Sequence, residues 1–191
     1  MTEQEIKALV AKQRTYFQTG ATLPVRTRIQ ALRRLYTAIR ENEKEIHDAL
    51  RNDLGKSNFE SYMCETGLVL EESSYMVKHI QRFSREKRVH TPLAQFHSRS
   101  YQKPSPYGVV LIMSPWNYPF MLSIEPAVGA IAAGNTVIIK PSAYAPNVSH
   151  VIKQMITESC DERYVAVVEG GRAENTELLE QRFDYIFFTG S

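Results

Sequence analysis

Residues 107–119 read YGVVLIMSPWNYP, in which an apolar run at 109–113 is followed at once by a loop that two prolines stiffen. Short apolar runs rich in Val, Ile and aromatic residues are typical of strands buried on both faces. Similar runs follow at 136–139, 164–168 and 185–188, and helical segments fit between the strands at about 119–133, 146–159 and 175–181. This alternation of strand and helix predicts an α/β fold with a parallel sheet.

The first half of the chain has a different pattern. From Thr2 to about Arg88, charged and apolar residues alternate at helical spacing, which predicts a series of helices. The longest helix is expected to begin near Thr22 and to continue unbroken to Asp53–Gly55. Residues 89–106 contain three prolines and alternating polar residues, which favour an extended strand or connector.

The loops that follow the parallel strands are the expected functional site. In open α/β sheets, ligands bind at the carboxyl ends of the strands. The sequence therefore places the site at residues 114–118, 141–145, 169–172 and 189–191.

Asn117 is the candidate catalytic residue of the first loop. An amide N–H held by neighbouring prolines can stabilise an oxyanion that develops from a carbonyl, and one such donor contributes about 3 kcal/mol. The loop alone leaves an alternative open, in which Asn117 is a turn residue packed beside a buried Trp116.

The other three loops offer groups that suit a nucleotide. Lys140 ends a buried strand and places a cation at the sheet edge, where hydroxyl and phosphate groups of a nucleotide bind. Glycines after strands let the backbone approach a ligand, and a helix beginning after them offers N–H groups to a pyrophosphate. The glycines are Gly170, Gly171 and Gly190, and the small hydroxyl residues beside Gly190 are Thr189 and Ser191. The chain has no Gly-x-Gly-x-x-Gly, so the usual dinucleotide fingerprint is absent.

Three segments resemble the aldehyde dehydrogenase family in order and spacing, and the resemblance is nearest to the class 3 branch. They are YGVVLIMSPWNYP at 107–119, AAGNTVIIKPS at 132–142 and FFTGS at 187–191. The resemblance implies a Rossmann-like NAD- or NADP-binding core that works without the glycine fingerprint. It also implies oxidation of a small aldehyde to a carboxylic acid, with Asn117 as the oxyanion donor.

The resemblance further implies which residues contact the cofactor. Lys140 is expected to bind the adenosine ribose or its 2′-phosphate, and Ser191 is expected to start the phosphate-facing helix. The complete set of expected cofactor residues is Met113, Ser114, Trp116, Lys140, Ser142, Gly170, Gly171, Thr189, Gly190 and Ser191. No metal site is expected.

Two departures from the family pattern affect the expected function. Ala143 stands where many members carry a Glu that accepts hydrogen bonds from the ribose, so we expect tolerance of NADP as well as NAD. The nucleophilic Cys and general-base Glu of the family lie downstream of the FFTGS segment, and neither Cys64 nor Cys160 matches that Cys. We therefore expect these 191 residues to be a portion that is inactive alone.

The same resemblance implies the domain boundaries. Residues 1–88 are expected to be the helical part of the cofactor domain, 89–106 the bridging strands of a homo-oligomer such as a dimer, and 107–191 an incomplete nucleotide-binding core without the catalytic domain. An alternative is a truncated relative that binds nucleotide or a partner protein without catalysis.

Composition and charge exclude several other classes of protein. With 23 basic and 21 acidic residues, the net charge of +2 gives no indication of an obligatory nucleic-acid or membrane partner. A role of the more basic first half in binding nucleic acid is a minority alternative. Two cysteines without metal or disulfide spacing favour a reducing cytoplasm.

Overall fold

Helices make up most of the first half of the chain. In the computed structural model, which describes residues 1–190, these helices are α1 (Glu3–Gln18), α2 (Val25–Glu41), α3 (Glu43–Leu54), α4 (Asn58–Ser61) and α5 (Gly67–Phe83). A π-helical turn, Tyr62–Thr66, joins α4 to α5. The predicted series of helices is confirmed.

The prediction of a single long helix between Thr22 and Gly55 is wrong, because the helix is interrupted at Asn42. The Asn42 side chain donates a hydrogen bond to the carbonyl of Ala38 at 2.9 Å. Asn side chains compete with the helical backbone in this way and favour helix ends. The first of the two resulting helices begins at Val25, after Pro24, and the second ends at Gly55, whose φ of 68° is left-handed.

The connector after the helices forms a small antiparallel sheet. Its strands are β1 (Lys87–Val89) and β2 (Ser100–Gln102), with a 3₁₀ turn, Leu93–Gln95, between them. Every residue of β1 is exposed. The extended conformation expected for this region is therefore confirmed in part, over a shorter length than 89–106.

The second half of the chain builds a four-stranded parallel sheet. Its elements are β3 (Val109–Met113), α6 (Met121–Ala133), β4 (Thr136–Lys140), α7 (Pro146–Ser159), β5 (Val165–Val167), α8 (Arg172–Leu179) and β6 (Tyr185–Phe188). The strand order is β5-β4-β3-β6, and all neighbouring pairs are parallel. The predicted α/β fold is confirmed, with strand boundaries within one residue of the predicted ones.

Helix α8 begins three residues earlier than expected. The carboxylate of Glu174 accepts a hydrogen bond from the backbone N–H of Gly171 at 2.8 Å. This contact satisfies a backbone donor in the first turn that would otherwise lack a partner. The helix can therefore start directly after the glycine pair.

Helices cover both faces of the parallel sheet. Alternate strand residues such as Val110 and Ile112 pack against α2, α3, α5, α6 and α7, whereas Leu111 and Met113 pack against α1 and α8. Side chains of a strand point alternately to its two faces, so a run of apolar residues fills both cores. The burial predicted for strand β6 is wrong, because β6 lies at the edge of the sheet. Its residues Tyr185, Ile186 and Phe188 are largely exposed.

Candidate functional site

The carboxyl ends of the four parallel strands define one edge of the sheet. The chain passes from β3 to β4 and β5 on one side and then places β6 on the other side of β3. This reversal creates a topological switch point between β3 and β6, where open α/β sheets bind their ligands. The N–H of Thr189 donates to the carbonyl of Met113 at 3.1 Å, which joins the two loops at that point.

The loop after β3 is fixed at both of its ends. The N–H of Ser114 donates to the carbonyl of Lys140 at 3.2 Å, and the Ser114 and Ser123 hydroxyls are 2.5 Å apart. Ser123 also donates to the carbonyl of Pro119 at 2.6 Å. Helix α6 therefore holds the loop that precedes it.

Asn117 lies at the exposed tip of this loop. The alternative of a turn Asn packed beside a buried Trp is contradicted, because Trp116 is 54% exposed. The amide of Asn117 is therefore available to a ligand, while Trp116 presents an aromatic surface beside it.

Lys56 and Glu65 contact the same loop from the helical half of the chain, and the sequence reasoning missed both. The Lys56 ammonium donates to Glu65 Oε1 at 2.5 Å and to the backbone carbonyl of Asn117 at 2.9 Å. Glu65 Oε2 accepts from the N–H groups of Phe120 and Met121 at 3.0 and 2.9 Å. Lys56 directly follows Gly55, and Glu65 lies in the π-helical turn, a feature frequent at functional sites.

Burial and hydrogen bonding act on the Glu65 carboxyl in opposite directions. Its side chain is fully buried, and burial raises the pKa of Glu65 above its usual value. Hydrogen bonds from Lys56, Met121 and Phe120 favour the charged form and oppose this shift in pKa.

Lys140 is only 3% exposed at the end of β4. Its ammonium donates to the carbonyl of Pro141 at 2.8 Å, and an ammonium has two further protons to donate. Burial lowers the pKa of Lys140, and the negative charge of Glu174 opposes that shift. A buried cation held mainly by a neutral carbonyl suits the hydroxyl or phosphate groups of a nucleotide.

The loops after β4 and β5 are turns held by local hydrogen bonds. The hydroxyl of Ser142 accepts from the N–H of Tyr144 at 3.2 Å. Gly170 has φ of 136°, and a Cβ at that position would overlap the Glu174 carboxylate. The left-handed φ therefore favours glycine at 170, whereas a Cβ on Gly171 would meet no atom within 4 Å.

Carboxylates already occupy the N-termini of the three helices that follow strands β3, β4 and β5. Glu65 accepts from the first amides of α6, and Glu174 accepts from Gly171 at the start of α8. Asp53 accepts from the N–H groups of Asn147 and Val148 in α7 at 3.3 and 2.9 Å. A phosphate would be repelled from these three helix ends.

The turn after β6 differs from the other three loops in its contacts. Gly190 has φ of 145° and lies beside Phe188 and Pro115 across the switch point. Thr189 and Gly190 thus lie next to the Asn117 loop, and their contact with a cofactor stays a prediction. Ser191, also predicted to bind the cofactor, lies outside the described residues.

The two cysteines lie outside the loops at the sheet edge. Burial raises the pKa of Cys160, and a hydrogen bond from Ser159 opposes that shift only partly. Cys64 precedes Glu65 in the π-helical turn and is partly buried. Over residues 1–190, the structure contains no cluster of three or more His, Cys, Asp or Glu side chains arranged to bind a metal ion.

None of the helices in the described part of the chain has the length and apolar character needed to cross a membrane.

Comparisons with known proteins give consistent matches. The model of the aldehyde dehydrogenase family matches residues 1–191. The chain is 46% identical to 4,4′-diaponeurosporen-aldehyde dehydrogenase of Staphylococcus aureus over 93% of its own length and 39% of that protein's. It is 42% identical to the "aldehyde dehydrogenase, dimeric NADP-preferring" of Canis lupus familiaris, over 98% of this chain and 41% of the relative.

A solved structure supports the same relationship. The substrate-bound state of Staphylococcus aureus AldH superposes with a TM-score of 0.95 at 45% identity, covering 97% of this chain and 41% of that one. The chain thus spans about two fifths of the length of the relatives it matches.

Proposed function

The chain belongs to the aldehyde dehydrogenase family, and from that premise we propose that the protein oxidises an aldehyde to a carboxylic acid with NAD or NADP. The observation that carries the proposal is the exposed Asn117 amide at the switch point, on a loop whose backbone is held at both ends. Buried Lys140 ends the next strand of the same sheet edge.

Asn117 is proposed as the donor that stabilises the oxyanion of the reacting carbonyl. Its side-chain N–H is neutral, so it favours a developing negative charge without itself giving up a proton. One such preorganised donor contributes about 3 kcal/mol to a transition state. The bound nicotinamide supplies the chemistry of hydride acceptance. Neither Cys64 nor Cys160 is assigned the role of nucleophile.

The residues of the sheet edge fit a dinucleotide. We assign Lys140 to the adenosine ribose, because within residues 1–190 its ammonium donates only to the carbonyl of Pro141 and can donate two further protons. The carboxylates at the N-termini of α6, α7 and α8 leave the turn at Thr189–Gly190 as the place for the pyrophosphate. Ser191 is assigned to the same phosphate contact.

The remaining cofactor assignments follow from the positions of the strand ends. The backbone around Met113, Ser114 and Trp116 is proposed to line the nicotinamide side, and Ser142 to lie beside the ribose. Gly170 and Gly171 are proposed to flank the adenine.

Both nucleotides are proposed as cofactors. Ala143 is exposed at the loop after β4 and carries no charge that would repel a 2′-phosphate. The dog relative is described by its name as NADP-preferring. We expect the ratio of kcat/KM with NAD to that with NADP to lie within about tenfold, a difference of about 1.4 kcal/mol in transition-state binding. A much larger preference for NAD would contradict this assignment.

The domain organisation is proposed as an extension of the same function. Residues 1–88 and 107–191 together form the cofactor domain, since helices of the first segment cover both faces of the sheet. Residues 89–106 are proposed to pair with a second copy, because β1 and β2 are largely exposed and the dog relative is called dimeric. The two unpaired cysteines fit a reducing cytoplasm.

The experiment measures aldehyde-dependent reduction of NAD and NADP by the intact protein, together with calorimetric binding of both nucleotides. We expect Asn117→Ala to lower kcat by about 10²–10³-fold with nucleotide binding unchanged. We expect Lys140→Met to weaken nucleotide binding.

Matched control variants are Asn52→Ala and Lys7→Met, which alter exposed helical residues that have no assigned role in the site. Both are expected to behave as the unaltered protein. A kcat that Asn117→Ala leaves unchanged would refute the oxyanion assignment, whereas nucleotide binding without any turnover by the unaltered protein would support a nucleotide-binding relative that does not catalyse.

A further inference from the structure

The buried ion pair of Lys56 and Glu65 has an unusual set of contacts. It joins two positions of the helical half to four residues around the tip of the loop after β3. Lys56 contacts the carbonyl of Asn117, and its ammonium lies 4.1 Å from the centre of the Tyr118 ring. Glu65 accepts hydrogen bonds from the backbone N–H groups of Phe120 and Met121. All contacts to the loop are to its backbone or to the Tyr118 ring, so the Asn117 side chain remains exposed.

The burial of this pair is a poor way to gain stability. The side chains of Lys56 and Glu65 are only 8% and 0% exposed. Removing two charges from water is costly, and apolar pairs of similar volume are often as stable or more so. The pair nevertheless ties the two halves of the chain together, because Lys56 donates to the carbonyl of Asn117 while Glu65 accepts from Lys56 and from two backbone N–H groups.

The π-helical turn explains how Glu65 reaches the loop. An extra residue in the turn moves the side chains that follow it around the helix axis. The N–H of Gly67 closes this turn onto the carbonyl of Tyr62, and a Cβ at 67 would lie only 2.7 Å from that oxygen. The glycine therefore permits the turn that places Glu65 beneath the start of α6.

We propose that Lys56 and Glu65 are positioning residues that hold the backbone of Asn117 so that its amide faces the reacting carbonyl. This inference rests on the proposed function, because it assigns the pair a role through Asn117. Lys56 fixes the Asn117 carbonyl, and Glu65 fixes both Lys56 and the amides that follow the loop. A displacement of about 1 Å at a reacting group can lower a rate by about 10²-fold, so loss of this support affects catalysis more than binding.

The test uses the double variant Lys56→Met/Glu65→Gln in the intact protein. It removes both buried charges together, and the amide oxygen that replaces the Glu65 carboxylate can still accept from the N–H groups of Phe120 and Met121. We therefore expect the variant to fold, with the contact to the Asn117 carbonyl lost. We expect kcat to fall about 10–100-fold, with KM for the nucleotide changed by less than about twofold.

A double-mutant cycle with Asn117→Ala separates positioning from a general structural role. If the pair acts through Asn117, adding Lys56→Met/Glu65→Gln to Asn117→Ala lowers kcat no further. Equal losses in both backgrounds would overturn the inference. The control variant is Lys44→Met/Asp48→Asn, which removes an exposed ion pair on α3 and is expected to leave kcat unchanged.

A second measurement does not depend on activity. Trp116 is the only tryptophan of the 191 residues and lies directly before Asn117. Its contribution to the time-resolved fluorescence anisotropy, taken as the difference from a Trp116→Phe variant, reports local motion of the loop, and we expect faster local rotation in the double variant than in the control variant. Unchanged rotation would overturn the inference. Faster rotation in a protein that shows no aldehyde oxidation would instead refute the proposed function and leave the support of the loop established.

Discussion

Replacing Arg28 by Met is expected to destabilise the fold more than any change to a surface arginine. The guanidinium of Arg28 is buried where the start of α2 meets the end of α6. It donates to the carbonyls of Thr22, Leu23 and Ala132 at 2.9, 2.5 and 3.2 Å. Burial lowers the pKa of Arg28, because the surroundings favour the charged form less than water does.

The size of the effect follows from these contacts. A hydrogen bond from a charged group contributes about 1.5–3 kcal/mol, so three of them give about 5–9 kcal/mol. The Met variant avoids the loss of hydration that a buried guanidinium suffers, and this offsets several kcal/mol of the lost hydrogen bonding. The net loss in the free energy of unfolding is therefore about 3 kcal/mol. With a urea m-value of about 2 kcal/mol/M, the midpoint of unfolding falls by about 1.5 M.

The assay is urea unfolding at low protein concentration, followed by far-ultraviolet circular dichroism. Arg26→Met is the matched control, since Arg26 lies on the exposed side of the same helical turn. Its effect is expected to stay within about 0.5 kcal/mol. If Arg28→Met destabilises the protein by less than about 1 kcal/mol more than Arg26→Met does, the reasoning about the buried guanidinium is refuted.

Two further predictions concern the sheet edge. Between the lowered pKa of Lys140 and its usual value of 10.5, the unfolded chain binds more protons than the folded one, so stability should rise with pH there. Urea unfolding at about pH 7 and about pH 10 should show the protein gaining stability relative to Lys140→Met, and a constant difference would contradict this. Gly170→Ala should lower the free energy of unfolding by about 1–3 kcal/mol, because of the positive φ at 170 and the overlap with Glu174. Gly171→Ala is the control and should have no such effect. Equal melting temperatures for the two variants would show the strain argument to be wrong.

The strands and the loops after them can be predicted from the sequence. The apolar runs at 109–113 and 185–188 predict strands at the observed bounds. Only the first of these strands is buried on both faces, because the second lies at the edge of the sheet. The loop around Asn117 is predictable for the same reason, since it directly follows such a run. Its role in the reaction remains a prediction.

The break at Asn42 cannot be predicted from helical periodicity. Apolar residues continue at helical spacing across the break, because α2 and α3 both pack into the same core. The signal that could have identified it is Asn42 itself, since Asn is favoured at helix ends.

The sequence by itself determined the alternation of strands and helices, the family segments and the side chains offered by the loops. These are local properties, fixed by periodicity and by residue type within a few positions. Only the tertiary structure decided that β6 lies beside β3 and that Lys56 and Glu65 meet the Asn117 loop. Those contacts join residues about 50 to 75 positions apart. Such pairings depend on which surfaces become buried together when the layers pack, and no periodicity along the chain encodes them.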